Sequence, residues 1–406
     1  MSGPVRVATV IARLEGGAGV LALRGALAVS QDRCPVTIIT GQGDQLVGAA
    51  RAAGLEVIIE PSLRAPIRPA SDLRALRRVQ ELLAGRAFDV VHTHCAKGGA
   101  VGRMAAHRAG VGRIVHTYHG FPFHQFQPRA LREAYVAIER KLGRITDLAL
   151  CVGAGVAAEA VRRELIEPDR VQTIGVSVDG PQRARASRAA GTAAARRRAR
   201  ALLGLPAAGP VVGAVGRLAY QKAPGDLVTA LAALGRPDVT GVWVGSGELA
   251  GKVSQAARAR LPGRFLLAGE RADILDILPA FDVFALPSRY EGLPTVIVEA
   301  MICAVPVVAT AVNAVPDLVI PGRTGLLVPP RRPARLAAAI GRLLDSPAEA
   351  GAMAAAARDR VAGQHNEITT RNALITAYGI APEPPASQPA RAFAPAVQSV
   401  PSPALP

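Results

Sequence analysis

Two short stretches of the chain carry charged side chains at spacings that could bind a phosphorylated ligand. The first, VGRLAYQK, follows an apolar run and places Arg217 and Lys222 five residues apart on a predicted strand-to-helix loop. Two cations held near a helix N-terminus form a clamp for a diphosphate, because that end of a helix also favours negative charge. An isolated pair of this kind is more often two ordinary surface charges, so the inference depends on the second stretch.

The second stretch, SRYEGLPTVIVE, predicts a strand end, a glycine turn and the start of a helix. It places Glu291 in the turn and Glu299 two helical turns into the helix. Backbone amides near Thr295 would face an anion, while both carboxylates could accept hydrogen bonds from hydroxyl groups. This combination suits a nucleotide sugar. The alternative is one acid favoured by the helix dipole and one surface glutamate.

The elements that must position these residues repeat a strand, a glycine turn and a helix. Apolar strand segments such as VRVATVIARL, PVTIIT and FDVVHTH recur in the first half, and the pattern restarts after residue 205 with PVVGAVGRL and TGVWVGSGEL. Half of the residues are hydrophobic and only 3% are aromatic, which suits buried parallel strands covered by Ala-rich helices. We therefore predict an α/β protein with two Rossmann-like parallel-sheet domains, whose ligands bind in an interdomain cleft at the carboxyl ends of the strands.

Composition predicts where these units begin and end. Residues 1–180 form the first unit and residues 206–380 the second. Residues 181–205 are rich in Ala and Arg and contain no acid, which predicts an exposed connector with room for a helix in its second half. Residues 381–406 are mainly Pro, Ala and Ser, so we expect a disordered tail without the apolar residues that a folded segment needs.

The formal net charge of +17 is concentrated in the first unit and the connector. Nucleic-acid binding would explain such a charge, but the sequence has no zinc-finger spacing, RNP motif or interleaved aromatic stripe, so we predict no nucleic-acid partner. An anionic membrane surface or a phosphate-bearing substrate fits a basic first unit better. The alternative is an Arg-rich bias of the whole genome.

Cysteine spacing and hydropathy bear on the compartment and on metal binding. The four cysteines are scattered without a CxxC pair, so neither a disulfide framework nor a zinc site is indicated. The N-terminal stretch lacks the apolar core of a signal peptide, and the longest uncharged stretch, residues 300–316, contains two prolines. We expect a cytoplasmic protein whose contact with the inner face of the cell membrane, if any, is peripheral.

The Glu-x7-Glu spacing and the Arg/Lys pair together resemble the retaining GT-B glycosyltransferases of family 4, over about residues 5–380. The resemblance implies that the first unit binds the acceptor and the second a nucleotide sugar. It also implies that Glu291 contacts the donor sugar, Glu299 the ribose hydroxyls, and Arg217 with Lys222 the diphosphate. The donor is a nucleotide-diphosphate sugar, and no cofactor is expected.

The same resemblance extends to shorter segments of the chain. GSGE looks like a glycine loop of the donor domain, AGERAD like the segment beside the base, and GGAG like the first-strand glycine loop. The residues expected on the donor side are Gly17, Gly245, Gly247, Arg271, Leu293, Thr295 and Glu299. The sequence departs from the residues usual in this family at Ala223, at Pro294 and in VSVD. These departures bear on the identity of the donor sugar more than on the reaction class.

Histidines at two strand ends complete the predicted site. HTYHG looks like the family's active-site segment, and its His116 and His119 point to opposite faces of an alternating strand. We predict that His119 faces the cleft, because it falls at the carboxyl end of the strand. His94 and Lys97, in VHTHCAKGG, resemble a feature of bacterial members that build surface polysaccharides. These two residues are expected on the acceptor side or in a structural role.

The predicted reaction is sugar transfer to an acceptor hydroxyl with retention, in surface polysaccharide or glycolipid assembly, with a lipid-linked or glycan acceptor. The cations would stabilise the leaving phosphate, and no DxD-like pair ends a strand, so we predict a metal-independent reaction without an enzymic nucleophile. One alternative is a nucleotide-sugar 2-epimerase of similar fold, which would need acid/base carboxylates in the cleft. Another is a two-domain solute-binding protein, which requires export.

Overall fold

The structure, a computed structural model, describes residues 4–30, 34–43, 45–64, 67–178, 181–362 and 365–380. The predicted disordered tail, residues 381–406, lies outside the described residues, as does Asp179 of the VSVD turn. Within the described ranges two parallel sheets are covered by helices, as the alternation of apolar runs predicts. None of the described helices combines the length and the apolar character needed to cross a bilayer.

The first sheet contains seven strands: β1 (Val7–Arg13), β2 (Val36–Gln42), β3 (Glu56–Ile59), β4 (Val90–His94), β5 (Arg113–Tyr118), β6 (Leu148–Cys151) and β7 (Val171–Thr173). Their spatial order is β3-β2-β1-β4-β5-β6-β7. Val7 of β1 pairs with Val36 of β2 and with Val90 of β4, so the strand order reverses beside β1. The carboxyl ends on either side of such a reversal form a crevice in which ligands bind.

Among the described residues of the first unit, the helices that alternate with these strands are α1 (Gly16–Ser30), α2 (Gln45–Ala52), α3 (Pro69–Arg86), α4 (Ala96–Arg108), α5 (Arg129–Gly143) and α6 (Ala154–Arg162), with a 3-10 turn at Pro168–Arg170. Helix α4 lies flat on β1 because its glycines leave no side chain in between. A Cβ on Gly98 would lie 2.9 Å from the Ala12 nitrogen, and one on Gly102 would lie 3.1 Å from Val10. The close approach holds the start of α4, and therefore the end of β4, against the centre of the sheet.

The second sheet contains six strands: β8 (Val211–Val215), β9 (Thr240–Val244), β10 (Phe265–Leu267), β11 (Val283–Leu286), β12 (Val307–Thr310) and β13 (Leu326–Val328). Its order, β10-β9-β8-β11-β12-β13, repeats that of the first sheet. Its helices are α9 (Pro224–Leu234), α10 (Ala250–Arg260), α11 (Ile274–Ile277), α12 (Thr295–Ile302), α13 (Val315–Leu318), α14 (Pro333–Asp345) and α15 (Pro347–Ala362), with a 3-10 turn at Leu278–Ala280. The chain is thus built from two Rossmann-like units.

The segment between the two units is helical in both halves, as α7 (Pro181–Ala189) and α8 (Ala193–Leu202). The prediction of an exposed connector is wrong for the end of α8, where Arg200 is only 1% exposed. Its guanidinium donates to the carbonyl oxygens of Ala207 and Gly209 and pairs with Asp282 at 3.0 Å. Both terminal nitrogens of the guanidinium have partners, although its Nε has none among the described residues. Because these partners lie on the second unit, α8 belongs to that unit.

The last described helix, α16 (Glu367–Ala377), returns to the first unit although it follows the second along the chain. Leu374 packs over Gly25 of α1, and Arg113 Nε donates to the Ala377 carbonyl oxygen at 2.6 Å. Tyr378, just after the helix, bonds through its hydroxyl to His92 Nδ1 at 2.8 Å. The predicted second unit, residues 206–380, therefore ends in a helix that stabilises the first.

The carboxyl edges of the two sheets face each other across a cleft, as predicted. The backbones touch at its base, since a Cβ on Gly292 would lie 1.7 Å from the His119 carbonyl oxygen. The Gly155 amide donates to Asp317 Oδ2 at 3.0 Å from the opposite unit. The loops that follow β5, β6, β11 and β12 therefore supply the walls of the cleft.

Candidate active site

Lys222 and Glu291 meet at the carboxyl edge of the second sheet. Lys222 Nζ lies 2.5 Å from Glu291 Oε1, and the two side chains are only 16% and 5% exposed. The Glu291 amide donates to Asn313 Oδ1 at 3.0 Å, while Gln221 donates to the carbonyl oxygen of Tyr290 at 3.1 Å. The loops after β8, β11 and β12 thus hold one lysine and one carboxylate in contact.

Sequence reasoning missed Gln221 and Asn313, which fix this contact from two other loops. Asn313 adopts a φ of +46°, a left-handed conformation that Asn tolerates better than most residues. An Asn between apolar residues in AVNAV, just after a predicted strand, was the available signal for such a turn. Gln221 gave no signal beyond its place beside Lys222.

Arg217 stands at the same edge but is exposed. Among the described residues, the Arg217 guanidinium has no ion-pair partner and no hydrogen-bond acceptor. Burial raises the pKa of the Tyr290 hydroxyl, and the nearby Arg217 charge opposes that rise. One predicted cation is therefore engaged with a carboxylate, while the other remains open to an anion entering the cleft.

The glycines of the predicted GSGE loop are required by a backbone contact. Gly245 and Gly247 have φ values of +130° and +152°. A Cβ on Gly245 would lie 2.2 Å from the Gly216 carbonyl oxygen, and one on Gly247 would lie 2.6 Å from the Leu218 carbonyl oxygen. These contacts clamp the residues on either side of Arg217, so the two glycines position that arginine whether or not they also touch a donor.

Helix α12 begins at Thr295, three residues after Gly292, whose backbone touches that of His119, so the start of the helix lies at the cleft. Glu299 is partly buried and lies on the side of α12 that faces the first unit. Burial raises the pKa of the Glu299 carboxyl, and the Arg24 charge on α1 partly opposes this rise. Arg24 is itself held by the Ser177 carbonyl oxygen at 2.5 Å. Arg24 is a third residue that sequence reasoning missed, since nothing in its surroundings in the sequence marks it.

The two remaining donor-side predictions occupy different surroundings. Gly17 lies in the first turn of α1, where a Cβ would have no atom within 4 Å, so the space beside it is open. Arg271 forms a two-point ion pair with Asp273, at 2.8 Å through Nε and 2.6 Å through Nη2. This pair lowers the pKa of the Asp273 carboxyl. The Arg271 side chain is therefore held on the loop after β10.

The first unit contributes a cluster of histidines to the opposite wall. His119 Nε2 lies 2.9 Å from His94 Nδ1, and His119 Nδ1 is buried with no partner among the described residues. Burial lowers the pKa of His119 to about 4 and that of His94 well below its ordinary value. Both imidazoles are therefore neutral at pH 7, and a cavity of about 30 Å³ adjoins them.

His116 lies elsewhere, as the alternation of the strand predicts. It is 1% exposed and bonds to Thr93 Oγ1 at 2.8 Å, beneath α4. Lys97 pairs with Asp72 at 2.5 Å and ties α4 to α3, so its contacts are structural. The structure therefore separates the two acceptor-side residues: His94 contacts His119, whereas Lys97 does not. No three His, Cys, Asp or Glu side chains in the described ranges cluster in a way that could hold a metal ion.

Comparison with known proteins identifies relatives of both halves of the chain. A family model described as Glycosyltransferase Family 4 matches residues 15–179, and one described as Glycosyl transferases group 1 matches residues 209–346. The UDP-Gal:alpha-D-GlcNAc-diphosphoundecaprenol alpha-1,3-galactosyltransferase of Escherichia coli is 32% identical over 259 residues, 62% of this chain. That match spans 65% of the relative, slightly less than two thirds of its length.

Two further matches cover more of the molecule. The alpha-maltose-1-phosphate synthase of Mycolicibacterium smegmatis is 30% identical over 306 residues, which are 68% of this chain and 74% of the relative. The solved structure of the Anabaena protein HepE, in complex with UDP and glucose, has a TM-score of 0.79 at 20% identity. It covers 92% of this chain and 99% of that one, so the two proteins share one fold.

Proposed function

The chain belongs to glycosyltransferase family 4, the glycosyl transferases group 1, and has the GT-B fold; from this premise we propose that it transfers a sugar from a nucleotide-diphosphate donor to an acceptor hydroxyl. The observation that carries this proposal is the contact between Lys222 and Glu291 beside the open Arg217. The 2-epimerase alternative finds no support in the matched families or relatives.

The second unit supplies the charges that such a reaction needs. Cleavage of the bond between the sugar and the diphosphate leaves negative charge on the phosphate, and cations already in place stabilise that charge without reorganising. Lys222, Arg217 and the first amides of α12 face the cleft from three loops. Glu291 accepts hydrogen bonds from donor-sugar hydroxyls, and Glu299 accepts them from the ribose. No metal ion and no cofactor is required by this arrangement of charges.

His119 orients the transferring sugar from the opposite wall. Its Nε2 is engaged by His94, whereas its Nδ1 has no partner among the described residues and can bond to a sugar hydroxyl. Because the ring is neutral at pH 7, it adds no charge that would compete for the diphosphate. We assign no enzymic nucleophile, and we propose retention by same-face return, in which the leaving phosphate helps to deprotonate the acceptor.

The proposed acceptor is a lipid-linked or other glycan at the inner surface of the cell membrane, in surface polysaccharide or glycolipid assembly. The name of the Escherichia coli relative includes a diphosphoundecaprenol-linked acceptor. The net charge of +17, concentrated in the first unit and connector, suits contact with anionic lipid. Flotation with anionic and neutral liposomes tests this location, and equal partitioning into both would contradict it.

A thermal-shift and calorimetric screen against UDP-, GDP-, ADP- and dTDP-sugars, with and without EDTA, tests the donor site. We expect one nucleotide class to stabilise the protein equally in both conditions. No response to any nucleotide would contradict the proposal, and a response that EDTA abolishes would contradict metal independence. Once transfer is observed, the proton coupling at the new anomeric centre reports whether the donor configuration is retained.

A further inference from the structure

A second polar pocket, of about 230 Å³, opens in the cleft beside the proposed reaction centre. It lies between the loop after β5, helices α5 and α6, and the loops after β11 and β12. Neither Lys222 nor Arg217 nor Glu299 lines it, so it is separate from the proposed diphosphate and ribose contacts. We call it the arginine pocket, after the residues that dominate its wall: Arg132, Arg162, Arg163 and Arg289.

The arginines of this pocket outnumber the acids that line it, because Glu159 is the one carboxylate in the described lining. Glu159 already pairs with Arg163 at 3.0 Å and with Arg162. Arg132 contacts the partly exposed Glu133 at 3.3 Å. The positive charge of the wall is therefore only partly neutralised within the protein, which favours an anionic ligand.

Arg289 gives the clearest indication of a missing partner. Its closest carboxylate, on Asp226, is 3.7 Å away, and its Nε is buried without a hydrogen-bond acceptor among the described residues. The guanidinium lies 4.0 Å from the centre of the Tyr220 ring, which fixes its plane. A planar, pre-oriented guanidinium with spare donors is suited to bind phosphate oxygens.

Aromatic side chains make the rest of the pocket rigid. Phe121 and Phe123 stack with ring centroids 4.8 Å apart, and Arg163 lies over the Phe123 ring at 5.8 Å. Across the cleft, His124 stacks on Tyr290 with centroids 4.0 Å apart and an interplanar angle of 11°. Stacked arginines lose little freedom when they bind, so the site is preorganised for its ligand.

The arginine pocket adjoins the place where transfer is proposed. Tyr290 and Asn313 both line the pocket. Tyr290 directly precedes Glu291, and the Asn313 side chain accepts a hydrogen bond from the Glu291 amide. Phe121, on the other wall, is two residues beyond His119. A molecule bound by the arginines would therefore extend toward Glu291 and His119 from the side that the nucleotide does not occupy.

Given the proposed transferase function, we infer that the arginine pocket binds a phosphate or diphosphate group carried by the acceptor. Arg132, Arg163 and Arg289 hold the phosphate oxygens, and this contact sets which acceptor hydroxyl reaches the donor sugar. A lipid-linked diphosphate and a soluble sugar phosphate share this chemistry.

Calorimetric titration with inorganic pyrophosphate tests the inference. An Arg217→Ala, Lys222→Ala protein serves as background, so that the proposed donor clamp does not contribute. We expect pyrophosphate to bind this background, and Arg132→Gln with Arg163→Gln to raise its Kd by about tenfold or more, because charge-assisted hydrogen bonds are lost. The matched control, Arg129→Gln, removes one exposed charge of α5 outside the pocket and should leave the Kd unchanged.

No pyrophosphate binding in the background, or the same Kd in all variants, would overturn the inference. To exclude misfolding, the Arg132→Gln, Arg163→Gln protein should have the melting temperature of its background. An Arg132→Lys, Arg163→Lys protein keeps both charges and should bind pyrophosphate more tightly than the glutamine variant, although less tightly than the arginine protein. A lysine variant that binds no more tightly than the glutamine variant would also overturn the inference.

Competition experiments distinguish the two sources of phosphate and keep this inference separate from the proposed function. Displacement of pyrophosphate by a short-chain prenyl diphosphate sugar but not by a hexose 1-phosphate would support a lipid-linked acceptor, and the reverse would support a soluble one. Equal displacement by the unphosphorylated sugar would overturn the inference. If the wild-type protein binds no nucleotide sugar but binds pyrophosphate through these arginines, the transferase proposal is refuted. The assignment of a phosphate site to the arginine pocket is then still supported.

Discussion

The two walls of the cleft are built from sheets with the same strand order, yet the side chains at the ends of their central strands differ in charge. At the carboxyl edge of the first sheet, His94 and His119 are neutral because burial lowers the pKa of both rings. At the carboxyl edge of the second sheet, Lys222 and Glu291 form an ion pair, and the charged Arg217 lies beside it. The fold alone therefore does not determine the chemistry of a strand edge.

The difference follows from what lies behind each edge. The first wall is covered by α1 and by α16, and Tyr378, just after α16, bonds to His92, so most of the surface of His92 and His94 is buried. The second wall consists of the loops after β8 and β11, where Arg217 is exposed and the buried Glu291 is compensated by its ion pair with Lys222. We infer that the two walls have different roles. The charged wall, with Arg217 and Lys222, holds the diphosphate, and the neutral wall, with His94 and His119, surrounds the sugar and limits its contact with water.

Removing a cation from the charged wall should have the largest effect. Lys222→Ala is expected to lower kcat by about 10²- to 10³-fold, the usual loss when one preorganised charge-stabilising group is deleted. Arg217→Ala should also lower kcat more than it raises the donor KM. Initial rates at saturating donor measure both. Lys252→Ala, an exposed lysine of α10, is the matched control, and an equal loss of kcat in that variant would contradict the assignment.

Changing Glu299 should weaken nucleotide binding while stabilising the fold. Glu299→Ala is expected to raise the Kd of the nucleotide by about 10- to 100-fold, because hydrogen bonds to a charged group are lost. Burial raises the pKa of this carboxyl, so its ionised form destabilises the folded protein once the pH exceeds that raised value. Glu299→Gln should therefore raise the melting temperature at pH 7 and have little effect at pH 4. A lower melting temperature at pH 7 would show that Glu299 is stabilised by its surroundings.

Changing the neutral wall should have a smaller effect on the reaction. His119→Ala is expected to lower kcat/KM by about tenfold, the value of one hydrogen bond between neutral groups. Because the His119 pKa is about 4, the wild-type rate should show no inflection from this ring between pH 5 and 8. An inflection near pH 6.5 that disappears in His119→Gln would contradict the neutral wall.

The last expected effect is on stability in acid rather than on the reaction. His92 and His119 have pKa values of about 3 and about 4 in the folded protein, below the 6.5 of an exposed histidine. Below pH 6.5 these histidines bind protons in the unfolded chain but not in the folded one. The free energy of unfolding therefore decreases as the pH falls toward 4. Melting temperatures between pH 7 and pH 4 should fall, and less steeply in His119→Gln. A wild-type curve that stays flat would contradict the depressed pKa values.

Much of this contrast could be predicted from the sequence, because its main parts are local. Apolar runs of strand length between helical segments predict both sheets, since each run carries its own burial signal. The pair Glu291 and Glu299 lies within one strand-turn-helix segment, so spacing alone brings them to one edge. Alternation places His116 and His119 on opposite faces of one strand, and His119 could be chosen because it falls at the carboxyl end of that strand.

The remainder depends on contacts between segments far apart in the chain. Asn313 and Arg24 reach the site from other loops and helices, and no local pattern links them to Glu291 or Glu299. The burial of Arg200 required the carbonyl groups beyond α8 and the Asp282 carboxylate, and its composition alone predicts exposure. The return of α16 to the first unit likewise depends on Tyr378 meeting His92 across 286 residues.

The most direct test of the charged wall is to compare, by calorimetry in EDTA, how the wild type and Lys222→Ala bind the nucleoside diphosphate and the nucleoside monophosphate of the donor's base. We expect the wild type to bind the diphosphate about tenfold more tightly or better, and Lys222→Ala to lose most of this preference while still binding the monophosphate. The same preference in both proteins would show that the second phosphate is held elsewhere, and would contradict the central claim.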